Sequence, residues 1–299
     1  MATDRRAFFK GVAGAAAAAT LTVLPGVAEA REKKTAPSDA VGMLYDATLC
    51  IGCKACVARC KVVNGMPADV EGYGGGLYDA PTGLNESTKN IIQLYKEEGE
   101  YSYVKKQCMH CVDPACIGAC MLGALTKGKF GVVTYDVDKC VGCRYCETVC
   151  PFNVPKFQWS KAAPRIVKCE FCKDRLAKGL EPGCTEVCPR KAVIFGNYTD
   201  LLDEAHRRLK NSPDKYVPKV YGEHEVGGTQ VLYLSHVPFE KLGFRFDQTE
   251  SVPQLQQSVQ HGLYKGFVGP VALYALLGAV MFRNRGKNEP EDRGTRSED

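Results

Sequence analysis

Residues 140–151 read C-V-G-C-R-Y-C-E-T-V-C-P: two intervals of three between cysteines, one of four, then proline. A run of C-x2-C-x2-C-x3-C-P supplies thiolates to [4Fe–4S] clusters. The spacing has a physical reason. A short loop wraps one corner of a cuboidal cluster and offers three sulfurs to three irons. The fourth cysteine lies about a helical turn further on and faces a different cluster.

The motif recurs along the chain. Cys50, Cys53, Cys56 and Cys60 repeat the spacing; Cys108, Cys111, Cys116 and Cys120 follow x2, x4, x3. Cys140, Cys143, Cys146 and Cys150 form the quoted run, and Cys169, Cys172, Cys184 and Cys188 follow x2, x11, x3 with Pro189 next. These groups use all 16 cysteines of the 299-residue chain. A disulfide scaffold is the wrong match, because such domains are short and lack this spacing. Structural zinc would pair two C-x2-C halves, whereas each group here holds a full run. The x4 and x11 insertions leave room for one altered or three-iron cluster.

The first residues are an address. Thr3-Asp4-Arg5-Arg6-Ala7-Phe8-Phe9-Lys10 carries a twin arginine, an apolar region runs from Gly11 to Leu24, and Ala28-Glu29-Ala30 has the form of a cleavage site. Residues 1–30 therefore read as a twin-arginine (Tat) signal peptide and 31–40 as a polar linker. Thiolate-held clusters must be assembled among reduced thiols, and the twin-arginine route exports proteins already folded and loaded.

Met43 to Asp46 and Tyr101 to Lys105 read as strands entering the first two cysteine groups. The glycine-rich stretch from about 61 to 100 reads as an insertion or long surface loop. Gly123 to Asp136 reads as a hairpin turning at Gly128 and Gly131, and Ala192 to Gly196 as the strand after the fourth group. His110 sits between cysteines, but the ligand count is complete without it, which gives it a packing or hydrogen-bonding role. Lys106, Lys139, Arg144, Lys156, Lys168 and Lys173 lie near cysteines, where positive charge favours a cluster's reduced state. Residues 41–198 thus form a double iron–sulfur domain, followed by an extension over 199–262. That extension begins with an amphipathic helix capped by Thr199 or Asp200, with Leu201, Leu202, Ala205 and Leu209 on its apolar stripe, and Gly227 to Ser235 reads as a strand. No catalytic constellation stands out.

Gly266 to Phe282 is uncharged for 17 residues, about 25 Å of helix, and Lys265 and Arg283 flank it. The expectation is a single transmembrane helix over 264–283, with a charged cytoplasmic tail at 284–299. Arg283, Arg285 and Lys287 then keep the C-terminus cytoplasmic. The net charge of +5 is modest, and no basic aromatic patch points to nucleic acid.

The chain resembles the four-cluster iron–sulfur subunits of molybdoenzymes and hydrogenases, most of all the ferredoxin-like membrane subunit of hydrogenase-2-type [NiFe] uptake hydrogenases. The residues that carry this are Lys105–Pro114, Gly142–Cys146, Cys150–Lys156, Ala192–Gly196, Gly227–Leu232 and His261–Gly266. The β subunit of respiratory formate dehydrogenase is similar. One departure is Met121, where the family has proline. The resemblance implies an α+β fold of two ferredoxin-like modules, each for two [4Fe–4S] clusters, with inserted loops and a C-terminal single transmembrane helix. It pairs the first cysteine group with the fourth and the second with the third. Cluster 1 would take Cys50, Cys53, Cys56 and Cys188; cluster 2, Cys60, Cys169, Cys172 and Cys184. Cluster 3 would take Cys108, Cys111, Cys116 and Cys150; cluster 4, Cys120, Cys140, Cys143 and Cys146.

The expected function is non-catalytic electron transfer through four [4Fe–4S] clusters. The expected partners are the large and small subunits of a periplasmic [NiFe] hydrogenase and an integral-membrane quinone-reactive subunit. The iron–sulfur domain would face the periplasm from the cytoplasmic (inner) membrane. Two alternatives stand beside it: the β subunit of a respiratory formate dehydrogenase or other molybdoenzyme, and a non-redox metal-stabilised scaffold.

Overall fold

The computed structural model describes residues 33–68, 82–97, 99–244 and 248–284, with the side chains of 258–269 and 284 excepted. The twin-arginine segment, the start of the linker and the charged tail from Arg285 lie outside the described residues. Residues 32–254 form one compact unit, and most of the C-terminal helix falls in the other.

The centre of the compact unit is a three-stranded sheet. Its middle strand, β1 (Val41–Asp46), is buried along nearly its whole length, as its sequence V-G-M-L-Y-D allows. It pairs antiparallel with the strand at Val193–Asn197 and parallel with the strand at Val231–Leu234. The second of these comes from the C-terminal extension, which is therefore woven into the sheet of the first cysteine group. Gly42 permits this close approach, since a Cβ there would meet the Gln230 carbonyl oxygen at 2.8 Å.

Each cysteine group contributes a short helix whose second residue is the third cysteine. These are α1 (Ala55–Val63), α2 (Ala115–Gly118), α3 (Tyr145–Thr148) and the helix Gly183–Glu186. The x4 and x11 insertions thus fall between the second and third cysteines, ahead of the helix. The C-x3-C end keeps one geometry throughout.

Three hairpins connect the groups. The expected loop between Cys60 and Tyr101 contains a strand, β2 (Asn90–Glu97), which pairs with β3 (Glu100–Gln107) along its whole length. The pair buries Ile91 and Ile92 together with the polar Asn90 of β2 and Lys105 and Gln107 of β3. The hairpin expected over Gly123–Asp136 forms as β4 (Leu125–Lys127) and β5 (Val133–Tyr135), with a single 3-10 turn at Lys129–Gly131 between them. A shorter pair follows, β6 (Lys156–Phe157) with β7 (Ile166–Val167).

After α4 (Lys173–Leu176) and the helix Gly183–Glu186, now α5, comes the strand Val193–Asn197, now β8. The amphipathic helix α6 (Tyr198–Asn211) follows it directly. Asn197, and neither Thr199 nor Asp200, is its cap: the Asn197 side chain accepts from the Thr199 backbone N–H at 2.9 Å. Leu201 and Ala205 pack on Leu44, Leu232 and Leu234. Arg208 and Tyr216 donate to the buried Asp46 carboxylate at 3.1 and 2.8 Å, fixing helix to sheet. The expected strand at Gly227–Ser235 is shorter, β9 (Val231–Leu234), because Val226, Gly227 and Gly228 adopt positive φ and form a turn.

The C-terminal helix α7 (Val252–Asn284) is 33 residues long. The expected membrane span lies within it, but among the described residues no helix is long and apolar enough to cross a membrane.

Candidate metal centres

Four sets of thiols come together, each drawing three cysteines from one group and one from another. Cys50, Cys53, Cys56 and Cys188 line one cleft (set 1). Cys60, Cys169, Cys172 and Cys184 line a second (set 2). Cys120, Cys140, Cys143 and Cys146 line a third, together with the apolar side chains of Met121, Leu122 and Val141 (set 4). In set 3, burial pushes the Cys111 thiol well above its ordinary value, and the neighbouring thiols of Cys150, Cys108 and Cys116 push it further. All sixteen cysteines are free.

The sets connect in the order 1, 2, 3, 4: Cys56 of set 1 and Cys184 of set 2 belong to one packed cluster, the stacked rings of His110 and Phe171 join the loops of sets 3 and 2, and Cys116 of set 3 packs in one cluster with Cys146 of set 4. Set 1 and set 4 are the ends. Cys53 and Cys143, one in each end set, are the two exposed cysteines of the sixteen.

In all four groups the residue before the second cysteine has positive φ: Gly52 at 71°, His110 at 48°, Gly142 at 74° and Phe171 at 51°. This turn aims the loop's sulfurs and N–H groups inward. Glycine adopts it freely, whereas a bulky residue there is strained. His110 and Phe171 compensate each other, their rings stacked at 3.9 Å with 15° between planes. The His110 Nδ1 also accepts from the Val133 backbone N–H at 3.1 Å. That sets the tautomer, leaving Nε2 to carry the proton, and Nε2 is buried with no hydrogen-bond partner among the described residues. The expected packing and hydrogen-bonding role of His110 is met by this pair, which sits where sets 2 and 3 adjoin.

The surroundings suit anionic sulfur. The Gly52 and Ala124 backbone N–H groups donate to the sulfurs of Cys50 and Cys120 at 3.5 and 3.2 Å, and the Asn64 amide donates to Cys60 at 3.5 Å. Burial is the main force raising the thiols, to about 12 at Cys116 and Cys184 and about 11 at Cys146 and Cys150. A coordinating metal overrides this by deprotonating the thiol outright. Buried lysines offset the resulting charge. Lys105 pulls down Cys56, Cys60 and Cys184, and Lys168 pulls down Cys116.

Of the six basic residues expected near clusters, only Lys168 is buried. Its ammonium donates to the backbone carbonyls of Val133 at 2.5 Å and Cys169 at 3.0 Å. Arg144 stacks on the exposed Trp159 at 4.4 Å, and Lys139 and Lys173 pair with Asp136 and Glu170. Lys106 lies over the Phe244 ring at 4.5 Å, and Lys156 donates to Asn153 Oδ1. Lys105 was not legible: a strand carrying two adjacent lysines does not say which one turns inward.

Among the described residues, no group of three or more His, Cys, Asp or Glu is placed to hold a single metal ion. Tetrahedral zinc would draw four thiolates to ~3.8 Å of one another, given Zn–S bonds of ~2.3 Å. Thiols set round a cubane stand farther apart. The residues present fit iron–sulfur clusters by donor type, by grouping and by charge.

Interleaved thiol sets on paired short helices and hairpins define a double-ferredoxin iron–sulfur protein. Residues 99–198 match the 4Fe-4S dicluster domain family. The hydrogenase-2 operon protein HybA of Escherichia coli O157:H7 is 40% identical over 328 residues, covering 97% of this chain and 98% of that one. The iron–sulfur subunit of nitrate-inducible formate dehydrogenase from Escherichia coli K12 is 34% identical over 245 residues, covering 78% of this chain and 79% of that one. That of formate dehydrogenase from Haemophilus influenzae is 33% identical over 249 residues, with 81% and 78% covered. The chain belongs to the HybA family of iron–sulfur electron-transfer proteins.

Proposed function

We propose that this chain is the electron-conducting subunit of a membrane-associated hydrogenase, holding four [4Fe–4S] clusters in sets 1 to 4. Set 1 faces a [NiFe] hydrogenase heterodimer and set 4 an integral-membrane quinone-reactive subunit. The observation that carries this reading is the row of sets with one exposed cysteine at each end, Cys53 and Cys143. When bound, the clusters supply one-electron redox chemistry. The chain's own residues hold them in line, exclude water with the His110–Phe171 stack, and balance their charge with lysines. Each end is edged by exposed apolar side chains suited to a protein partner: Ile51 at set 1, and Met121, Leu122, Val141 and Tyr145 at set 4.

The twin arginine of the N-terminal segment supports export of the folded, loaded protein, placing the iron–sulfur unit on the periplasmic side. The exposed Val271, Leu273, Tyr274, Leu276, Leu277, Met281 and Phe282 of α7 support membrane attachment. A short apolar run is accommodated by local bilayer thinning or by packing beside a partner's helices. The positive charges after it keep the C-terminus cytoplasmic.

The formate dehydrogenase relatives support a second reading, the same conductor joined to a molybdenum or tungsten enzyme. Gentle detergent extraction of the complex, assayed for dye reduction with hydrogen and formate as separate donors, decides between them. Hydrogen-dependent activity with a co-purifying nickel subunit is the expected result. Formate-dependent activity with molybdenum or tungsten would replace the partner, and a colourless zinc protein would end the electron-transfer reading.

A further inference from the structure

Sets 1 and 2 adjoin at Cys56 and Cys184, and the fully buried Lys105 lies at that junction. Its route there is unexpected. Lys105 belongs to β3, the strand that leads into Cys108 of set 3, yet it lines the cleft of set 1. Its ammonium donates to Asn90 Oδ1 at 2.8 Å, and Asn90 lines the cleft of set 2. Lys168 makes the reciprocal crossing: it precedes Cys169 of set 2, but its buried ammonium donates to the Val133 carbonyl of β5 and pulls down Cys116 of set 3. Each half of the molecule receives a lysine from the strand entering the other half.

A buried ammonium needs a counter-charge. Among the described residues no carboxylate pairs with Lys105, and its one hydrogen-bond partner is a neutral amide. The anionic groups around it are the sulfurs of Cys56, Cys184, Cys60 and Cys169. Away from water, that interaction is little screened by salt. A fixed positive charge beside a cluster favours the form carrying the extra electron.

Resting on the four-cluster reading above, we propose that Lys105 is the shared counter-charge of sets 1 and 2, a positioning residue that raises the reduction potentials of both clusters together. Neither cluster then becomes a barrier to the other. The effect is local, because set 4 lies two sets away.

The test is an EPR-monitored redox titration of the purified complex, with iron and acid-labile sulfide measured on the same samples. In Lys105→Met, full iron content and a negative shift confined to two of the four centres are expected. At fixed potential, their reduced-to-oxidised ratio should fall about tenfold, about 59 mV for a one-electron couple. Asn90→Asp sets a carboxylate against the ammonium without changing side-chain shape, and should shift the same two centres in the same direction even if Lys105→Met loses iron. Lys105→Arg should restore them, and Lys139→Met, beside set 4, should leave them where they are. Unshifted potentials in Asn90→Asp, or an equal shift of all four centres, would overturn the proposal. A wild-type complex without [4Fe–4S] signals would instead overturn the cluster reading beneath it.

Discussion

Gly52 shows how one atom governs a cluster loop. It has φ of 71°, and a Cβ added there would come within 2.2 Å of the Tyr103 ring, whose position is held through the hairpin. Gly52→Ala therefore meets both backbone strain and a rigid aromatic neighbour. The variant should lose the iron of set 1 and keep that of the other sets, which iron analysis and EPR would resolve; unchanged iron content would show the loop to be more compliant than its geometry. The same backbone turn recurs at Gly142, His110 and Phe171. Only the two glycines announce it in the sequence. Positive φ at histidine and phenylalanine carries no sequence signal, and their stacking joins residues 61 positions apart. Spacing alone sorts the cysteines into their four groups. Lys105 was not legible, because burial of a lysine depends on which face of a strand the fold covers.

At the scale of elements, the x4 and x11 insertions prove to be local. They lengthen the loop before α2 and before α5, and each helix still begins one residue ahead of its third cysteine. Helix α6 shows where sequence reading slips by a residue or two. Thr199 and Asp200 are good cap formers, but β8 runs straight into the helix, so Asn197 ends the strand and caps the helix with one side chain. Asn197→Ala should cost about 1 kcal/mol. Thermal unfolding of the loaded protein measures this, and Thr199→Ala should cost clearly less; the reverse order would contradict the assigned cap. Strand β2 escaped notice because it follows a glycine-rich stretch and opens on a buried polar residue, Asn90, beside set 2. The C-terminal run sits at the limit for a span. Its lack of charge suggested a span, while its 17 residues reach only about 25 Å against a hydrocarbon core of ~30 Å.

At the scale of the molecule, the two halves are interlocked by covalent connectivity. Each thiol set borrows one cysteine from another group, sets 1 and 2 across more than a hundred residues, and β9 of the C-terminal extension completes the sheet of the first group. Motif spacing shows that groups exist, and family resemblance implied how they pair. The row of sets and its two exposed cysteines emerge only when the chain is folded. The direct measurement is Cys143→Ser in the intact membrane complex, followed by hydrogen-dependent reduction of an artificial dye and of quinone in parallel. With set 4 at the exit, quinone reduction should fall roughly tenfold or more while dye reduction at the catalytic partner persists. Quinone reduction at the wild-type rate, with the set 4 cluster shown to be lost, would contradict the linear path.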